Sequence, residues 1–272
     1  VALSRKGYQV RAISSRSWQS ADKLANLVKG CHPYSCNQEV ADIADFIFIT
    51  TPDDFIAPVA AEIKWRPGQS IVHCSGADST DILAPAKKAG AAVGVFHPLQ
   101  TFIFNEQENL LGITYALEAE KPLLIILKEM ATILGGNWIE LKAEDKTLYH
   151  VAAVFACNYL VTLVKIATDL WQCFGIPPKQ STQALLPLLR GTITNIETLG
   201  IPWCLTGPLA RGDIGTIKKH LKILQKTTPE LIDIYKELGL KTIPITLAKG
   251  KIQKKQVDEL KTMLTEPINK EK

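Results

Sequence analysis

Three apolar runs in the N-terminal half each stop at a polar cluster. Phe46–Thr50 leads into Thr51-Pro52-Asp53-Asp54, Ser70–Cys74 into Ser75-Gly76-Ala77, and Ala92–Phe96 into His97-Pro98-Leu99-Gln100. Short apolar runs bounded in this way read as buried strands. In an open parallel sheet the ligand lies in the crevice beyond the carboxyl ends of the strands, so polar residues just past several strand ends mark one shared rim. The pattern predicts an α/β fold and a bound small molecule.

At 272 residues the chain has room for two moderate domains. A hydrophobic content of 46% against 21% charged residues fits a well-filled core and excludes a disordered chain. The net charge of +4 is mild. The lysines after position 218 read as solvated helix faces and a frayed tail, Asn269-Lys270-Glu271-Lys272, with no aromatic-interleaved basic stripe, so no nucleic-acid partner is expected. Cys31, Cys36, Cys74, Cys157, Cys173 and Cys204 show no paired spacing, which predicts free thiols in a reducing cytoplasm. Cys31, His32 and Cys36 lack a fourth ligand, so no metal is expected. The longest uncharged apolar stretch, Val151–Val164, is shorter than the ~20 residues that span a bilayer. It is expected to be a buried helix, with no membrane partner.

The opening VALSRKGYQVRAISSRS reads as a helix end, a stop at Gly7 and a strand over Gln9–Ile13. A dinucleotide-binding unit runs strand, glycine-rich turn, helix, strand, with the pyrophosphate on the helix N-terminus. Only the later half of that order is legible and no GxGxxG occurs. The first strand and glycine-rich loop, about 15–20 residues, are therefore expected to be missing, leaving a central sheet position empty. After the second strand, Ser14-Ser15-Arg16-Ser17 offers hydroxyls and a guanidinium suited to the 2′-phosphate of NADP, where NAD would call for an acid. The same residues also read as a solvated turn with a serine capping the next helix. At the following strand ends, Thr50, Thr51, Pro52 and Asp53, then Cys74, Ser75 and Gly76, are small enough to let a cofactor approach, and Thr51 reads as a helix N-cap. His97, stiffened by Pro98, is the acid/base candidate of the sheet, or a histidine that only fixes its loop.

Ile113–Glu118, a helix from Pro122 to Leu134 and a strand at Trp138–Leu141 complete the α/β part. The boundary is expected near Lys142, giving a dinucleotide-binding domain over 1–142 and a helical domain over 143–272. Helical patterns cover about Glu144–Phe174, Lys179–Leu199, Asp213–Gln225 and Pro229–Leu238. On the first of these, Lys146, His150, Ala153 and Cys157 share a narrow stripe, with Asn158 roughly 80° from His150. That stripe reads as a substrate wall, or as an exposed first turn with Asn158 making one buried hydrogen bond. The loop Leu205–Asp213 holds Thr206 and Arg211, the latter placed to bind an anionic group or to pair with an acid such as Asp213, which can also cap the next helix.

The blocks SSRS, TTPDD, HCSGA, FHPLQTF, EDKTLYHVAAVFACNYLVTL, LLPLLRGTITN and LTGPLARGD, in this order, resemble the Rossmann-like proteins paired with the helical domain of unknown function 2520, a family of NADP-dependent oxidoreductases. The likeness extends more distantly to prephenate dehydrogenases, 6-phosphogluconate dehydrogenase-like enzymes and pyrroline-5-carboxylate reductases. In the prephenate enzymes a His-Pro pair supplies the catalytic histidine, and His97-Pro98 matches it. Their helical domain has Ser-His where this chain reads Cys157-Asn158, so the likeness does not carry prephenate as substrate. The resemblance implies a homodimer formed by the helical domain and a site completed by Lys146, His150, Asn158 and Arg190. The expected activity is hydride transfer between NADP, less favourably NAD, and a small carbonyl, hydroxy acid or imine, with His97 or Lys146 exchanging the proton. The other class left open is a non-catalytic dinucleotide-binding sensor or assembly module.

Overall fold

The computed structural model of the protein describes residues 1–102 and 110–266; the tail expected at Asn269–Lys272 lies outside them. The chain divides into two compact units, Val1–Leu160 and Val161–Lys272. The division falls later than the expected boundary near Lys142. The reason is local: residues just beyond 142 fold back onto the strand ends of the first unit, through a bond from Lys146 to Ser75 and another from Tyr149 to His97.

The first unit opens with a short helix α1 (Ala2–Arg5), then β1 (Ala12–Ser14), α2 (Trp18–Ala25), β2 (His32–Tyr34) and α3 (Asn37–Ile43). It continues through β3 (Phe46–Ile49), α4 (Asp53–Glu62), β4 (Ser70–His73), a 3-10 turn at Thr80–Leu83, α5 (Ala84–Lys88) and β5 (Ala92–Leu99). After the undescribed residues come β6 (Thr114–Ala119), α6 (Leu123–Ile133), β7 (Asn137–Glu140), a 3-10 turn at Ala143–Asp145 and α7 (Lys146–Ala156). β3, β4 and β5 are parallel, β6 is antiparallel to β5, and β7 is parallel to β6. The architecture is a mostly parallel Rossmann-type sheet followed by helices.

The apolar strand runs exist because both sheet faces are covered. Ile47, Ile49, Ile71 and Val93 pack with Ile56 and Ala60 of α4 and with Leu83. On the opposite face Val72, Phe96, Tyr115 and Leu117 pack with Leu123, Leu127 and Met130 of α6. Successive residues such as Ile71 and Val72 thus serve opposite cores, as the two-residue period of a strand requires. At Gly94 an added Cβ would stand 3.1 Å from Leu123 Cδ2 and 3.2 Å from Leu127 Cδ1, so the glycine lets α6 seat directly on β5. Truncating a fully buried leucine such as Leu127 would cost about 2–5 kcal/mol.

The ladder is interrupted. β1 pairs only with β2, and β3 stands at the end of the five-stranded order β3-β4-β5-β6-β7. Among the described residues β1 and β3 share no ladder. β2 carries Pro33 at its centre. As the outer strand of a pair it has a free edge on which a proline's missing N–H goes unmissed.

The second unit is helical, with α8 (Asn158–Gln172) crossing into it, then α9 (Pro178–Leu199), α10 (Gly207–Arg211), α11 (Ile214–Thr227), α12 (Ile232–Ala248) and α13 (Lys254–Thr265). Its core joins Ile217 and Leu221 of α11, Ile243 of α12, and Val257, Leu260 and Leu264 of α13. Asp213 caps α11, accepting from Thr216 N–H at 3.0 Å and from its hydroxyl at 2.7 Å. α12 runs well past the expected end at Leu238 and through Pro244, because Ile243 and Thr246 beside the proline are buried and hold the helix on course. The helix expected to be buried over Val151–Val164 is instead largely exposed: Phe155 is 65% and Val161 68% accessible. One stretch, Ala143–Gln172, is long and apolar enough to cross a membrane by length and composition. The uncharged run records apolarity; it does not specify what covers it.

Candidate active site

The site grows from the turn after β4. His73, fully buried, places Nε2 3.1 Å from the Ser79 carbonyl, and its Nδ1 accepts from Ser75 N–H at 3.1 Å. A carbonyl only accepts, so the ring proton sits on Nε2. The Ser75 hydroxyl accepts from the N–H groups of Ala77 and Asp78 at 3.2 and 3.1 Å and faces Asp53 Oδ2 at 3.0 Å and Asp78 Oδ2 at 2.9 Å. One hydroxyl proton serves one of those carboxylates at a time. At the end of the turn, Thr80 donates its N–H and hydroxyl to Glu118 Oε1 at 3.1 and 2.7 Å.

Lys146, the first residue of α7, enters this turn and donates to the Ser75 carbonyl at 3.1 Å, with 1% of its surface accessible. Its burial lowers the ammonium's affinity for its proton, while Glu118, Asp78 and Asp53 work the other way, leaving the pKa at about 8. One turn on, Tyr149 places its hydroxyl 2.8 Å from His97 Nδ1, the rings meeting edge to face. Burial first, then the positive charges of Lys146 and His150, push the His97 imidazole down to about 4. It is therefore neutral at physiological pH. His73 is also held at about 4, chiefly by burial.

Gly76 forms the floor. A Cβ there would stand 2.8 Å from His97 Nε2 and 2.9 Å from His150 Cδ2, distances real side chains do not tolerate. Backbone therefore touches both imidazoles, and any larger residue would drive them apart. Cys74 is pushed up to about 12 by burial, so it is a thiol rather than a nucleophilic thiolate.

His97 does not stand past a strand end. β5 continues through it, pairing His97 with Ala116 and Pro98 with Tyr115, because the antiparallel neighbour carries the ladder on beyond the parallel part. Thr51 does not cap α4 either: Pro52 occupies that position, and the Thr51 hydroxyl is buried with no hydrogen-bond partner among the described residues. A buried hydroxyl left unsatisfied at the carboxyl end of β3 fits a rim at which a dinucleotide would supply a partner. Thr50 and Asp53 beside it are exposed. Ser17 caps α2, Ser14 donates to Asn37, and Ser15 and Arg16 are exposed, with the Arg16 guanidinium 5.2 Å from the centre of the Phe55 ring.

Asp53, Ser75, Gly76, His97, Lys146 and His150 thus converge in one place. Asn158 opens α8 and is exposed. Arg190, Thr206 and Arg211 belong to the second unit and are exposed there. Sequence reasoning missed His73, Asp78 and Tyr149. Tyr149 follows Lys146 at a helical spacing of three and could have been found on that ground; His73 is hidden inside an apolar run. Among the described residues no group of three or more His, Cys, Asp or Glu is arranged to hold a metal.

Residues 1–98 match the model of a Rossmann-like domain, and residues 113–242 match that of domain of unknown function DUF2520. No curated protein matches the chain. Among solved structures, a Thermotoga maritima protein is 26% identical with TM-score 0.72, over 88% of this chain and 91% of that one. A candidate NADP oxidoreductase from Bacteroides fragilis is 24% identical with TM-score 0.69, over 89% and 92%. A reductive aminase from Aspergillus terreus in complex with NADPH is 12% identical with TM-score 0.60, over 97% and 86%. The last two likenesses are likenesses of fold.

Proposed function

We propose that this chain, a Rossmann-like domain followed by a DUF2520 domain, is an NADP-dependent oxidoreductase acting on a small carbonyl, hydroxy acid or imine. The observation that carries the reading is Lys146: a buried ammonium poised at about 8 beside two imidazoles and a glycine floor. A general acid works best with a pKa near the operating pH. When bound, the nicotinamide supplies or takes the hydride. The candidate cofactor residues are Ser14, Ser15, Arg16, Thr50, Thr51, Pro52, Asp53, Cys74, Ser75 and Gly76, with Arg16 meeting the 2′-phosphate and Thr51 gaining the partner its hydroxyl lacks.

Lys146 gives its proton to the carbonyl oxygen or imine nitrogen being reduced, and as the neutral amine takes it back in oxidation. The Ser75 carbonyl and the nearby carboxylates hold the ammonium in place between turnovers. His97 is a neutral hydrogen-bonding partner for substrate, its orientation fixed by Tyr149. His150 lines the same floor, and Asn158 is proposed to meet substrate. NADPH oxidation in a screen of keto acids and cyclic imines tests the reading, and Lys146→Met should lower turnover about 100-fold or more while retaining NADPH. Tight NADPH binding with no turnover on any substrate would replace the enzyme by a dinucleotide sensor.

The working form is proposed to be a cytoplasmic homodimer built on the helical domain. The six free thiols suit a reducing compartment. α9 has 22 residues of which only Ser181 is buried, and Leu188, Ile193, Ile196 and Leu199 stand 44–67% accessible. A second copy covers such a face with the apolar area that permanent dimers use. Light scattering should give twice the chain mass, and Leu188→Glu should give monomers. A wild-type monomer, or partition onto vesicles, would refute the dimer.

A further inference from the structure

We propose that His73 is a positioning residue that fixes the Ser75–Ser79 turn so that the Ser75 carbonyl is aimed at the Lys146 ammonium. This rests on the reading of Lys146 as the proton-exchanging group. His73 touches neither Lys146 nor the glycine floor by any hydrogen bond; it acts through the turn. It is fully buried, and its ring spans the turn from end to end, binding the Ser75 N–H and the Ser79 carbonyl at 3.1 Å each. A buried ring that accepts at one nitrogen and donates at the other sets both the tautomer and the path of the backbone between its partners.

What that path delivers is one acceptor. The Ser75 carbonyl is the only hydrogen-bond partner of Lys146 among the described residues, although three ammonium protons are available. The other charged or titratable groups that act on Lys146 are Asp53 from α4, Cys74 and Asp78 from the turn and Glu118 from β6; Lys146 in turn acts on His97 of β5 and on His73 itself. Glu118 anchors the far end of the turn through Thr80 and keeps its second oxygen buried and unpartnered. His73 at the base and Glu118 at the exit thus tie down both ends of a loop whose middle would otherwise be free to rotate its carbonyl away. The neutral state of His73 is part of the device, because a protonated Nδ1 could no longer accept from Ser75.

The test reads Lys146 directly. The full chain labelled with 13Cε-lysine is titrated by NMR, with Lys146→Arg assigning the signal, in wild type and in His73→Asn, His73→Gln and His73→Leu. An asparagine oxygen reproduces the Nδ1 acceptor, a glutamine amide reproduces the Nε2 donor, and leucine reproduces neither. The expected result is a Lys146 pKa near the wild-type value in His73→Asn, and a fall corresponding to tenfold or more in proton affinity in His73→Leu. The alkaline limb of the pH–rate profile should move by the same factor. If His73→Leu does not fold, the Asn and Gln pair decides, with Asn the closer to wild type. Equal Lys146 titration across all folded variants overturns the proposal, as does Gln matching wild type better than Asn. If Lys146 shifts as expected while no substrate is ever turned over, His73 positions Lys146 and the oxidoreductase reading is what fails.

Discussion

Lys146→Met should separate stability from activity. The pKa of Lys146 falls from 10.5 in the free side chain to about 8 in the fold. Each tenfold loss of proton affinity is worth about 1.4 kcal/mol, so keeping the ammonium inside costs about 3 kcal/mol relative to the neutral amine at pH 7. Methionine has a similar length and no charge. Against that gain stands the Ser75 carbonyl, left buried without its donor at a cost of about 1–3 kcal/mol. The variant should therefore unfold in urea with a stability equal to wild type or up to about 2 kcal/mol higher at pH 7, while turnover falls about 100-fold or more. The pH dependence gives a sharper check. Because the folded pKa lies below the unfolded one, the unfolded chain binds more protons between pH 8 and 10.5, and wild-type stability rises through that window. The variant lacks this contribution, so its advantage should shrink by about 3 kcal/mol from pH 8 to 10.5. A variant destabilised by more than about 2 kcal/mol at pH 7, or an advantage that does not change with pH, would refute the account of a buried, uncomfortable ammonium.

Gly76→Ala should lower turnover by about 10–100-fold, since its methyl forces both imidazoles to move by a sizeable fraction of an ångström; steady-state kinetics would show the loss. Tyr149→Phe removes the bond that orients His97 and should reduce kcat/KM by about 2–10-fold. Arg16→Ala should weaken NADPH at least about tenfold and leave NADH unchanged; equal losses for both would show that Arg16 does not read the 2′-phosphate. His73 and His97 are held down at about 4, so stability is present above pH 6.5 and lost as pH falls towards 4. An acid titration by circular dichroism should show that loss, shallower in His73→Asn.

The rim was legible because strand ends in a parallel sheet carry their polar residues just beyond an apolar run, and Thr51, Ser75 and Gly76 announce themselves in that way. Lys146 and His150 were legible from helical spacing. What the pattern could not reveal was which group holds the proton, since that depends on burial and on charges brought from β6 and the β4 turn, far apart in sequence. His73 was invisible for the opposite reason: inside SIVHC it reads as one more core residue, and only the path of the turn shows that both its nitrogens are engaged. The exposure of Val151–Val164 was misjudged because apolarity records a need for cover without naming its source.

The interrupted ladder has a kinetic signature. In a strand, alternate amides point to opposite neighbours, so half of those in β3 face β4 and half face an edge with no ladder partner among the described residues. β4 and β5 are paired on both sides. Hydrogen exchange in β3 should therefore alternate residue by residue, slow where Phe46–Ile49 meet β4 and fast in between, while β4 exchanges uniformly slowly. The boundary of the protected sheet would run along the backbone of a single strand, the one whose carboxyl end carries the unpartnered Thr51 hydroxyl.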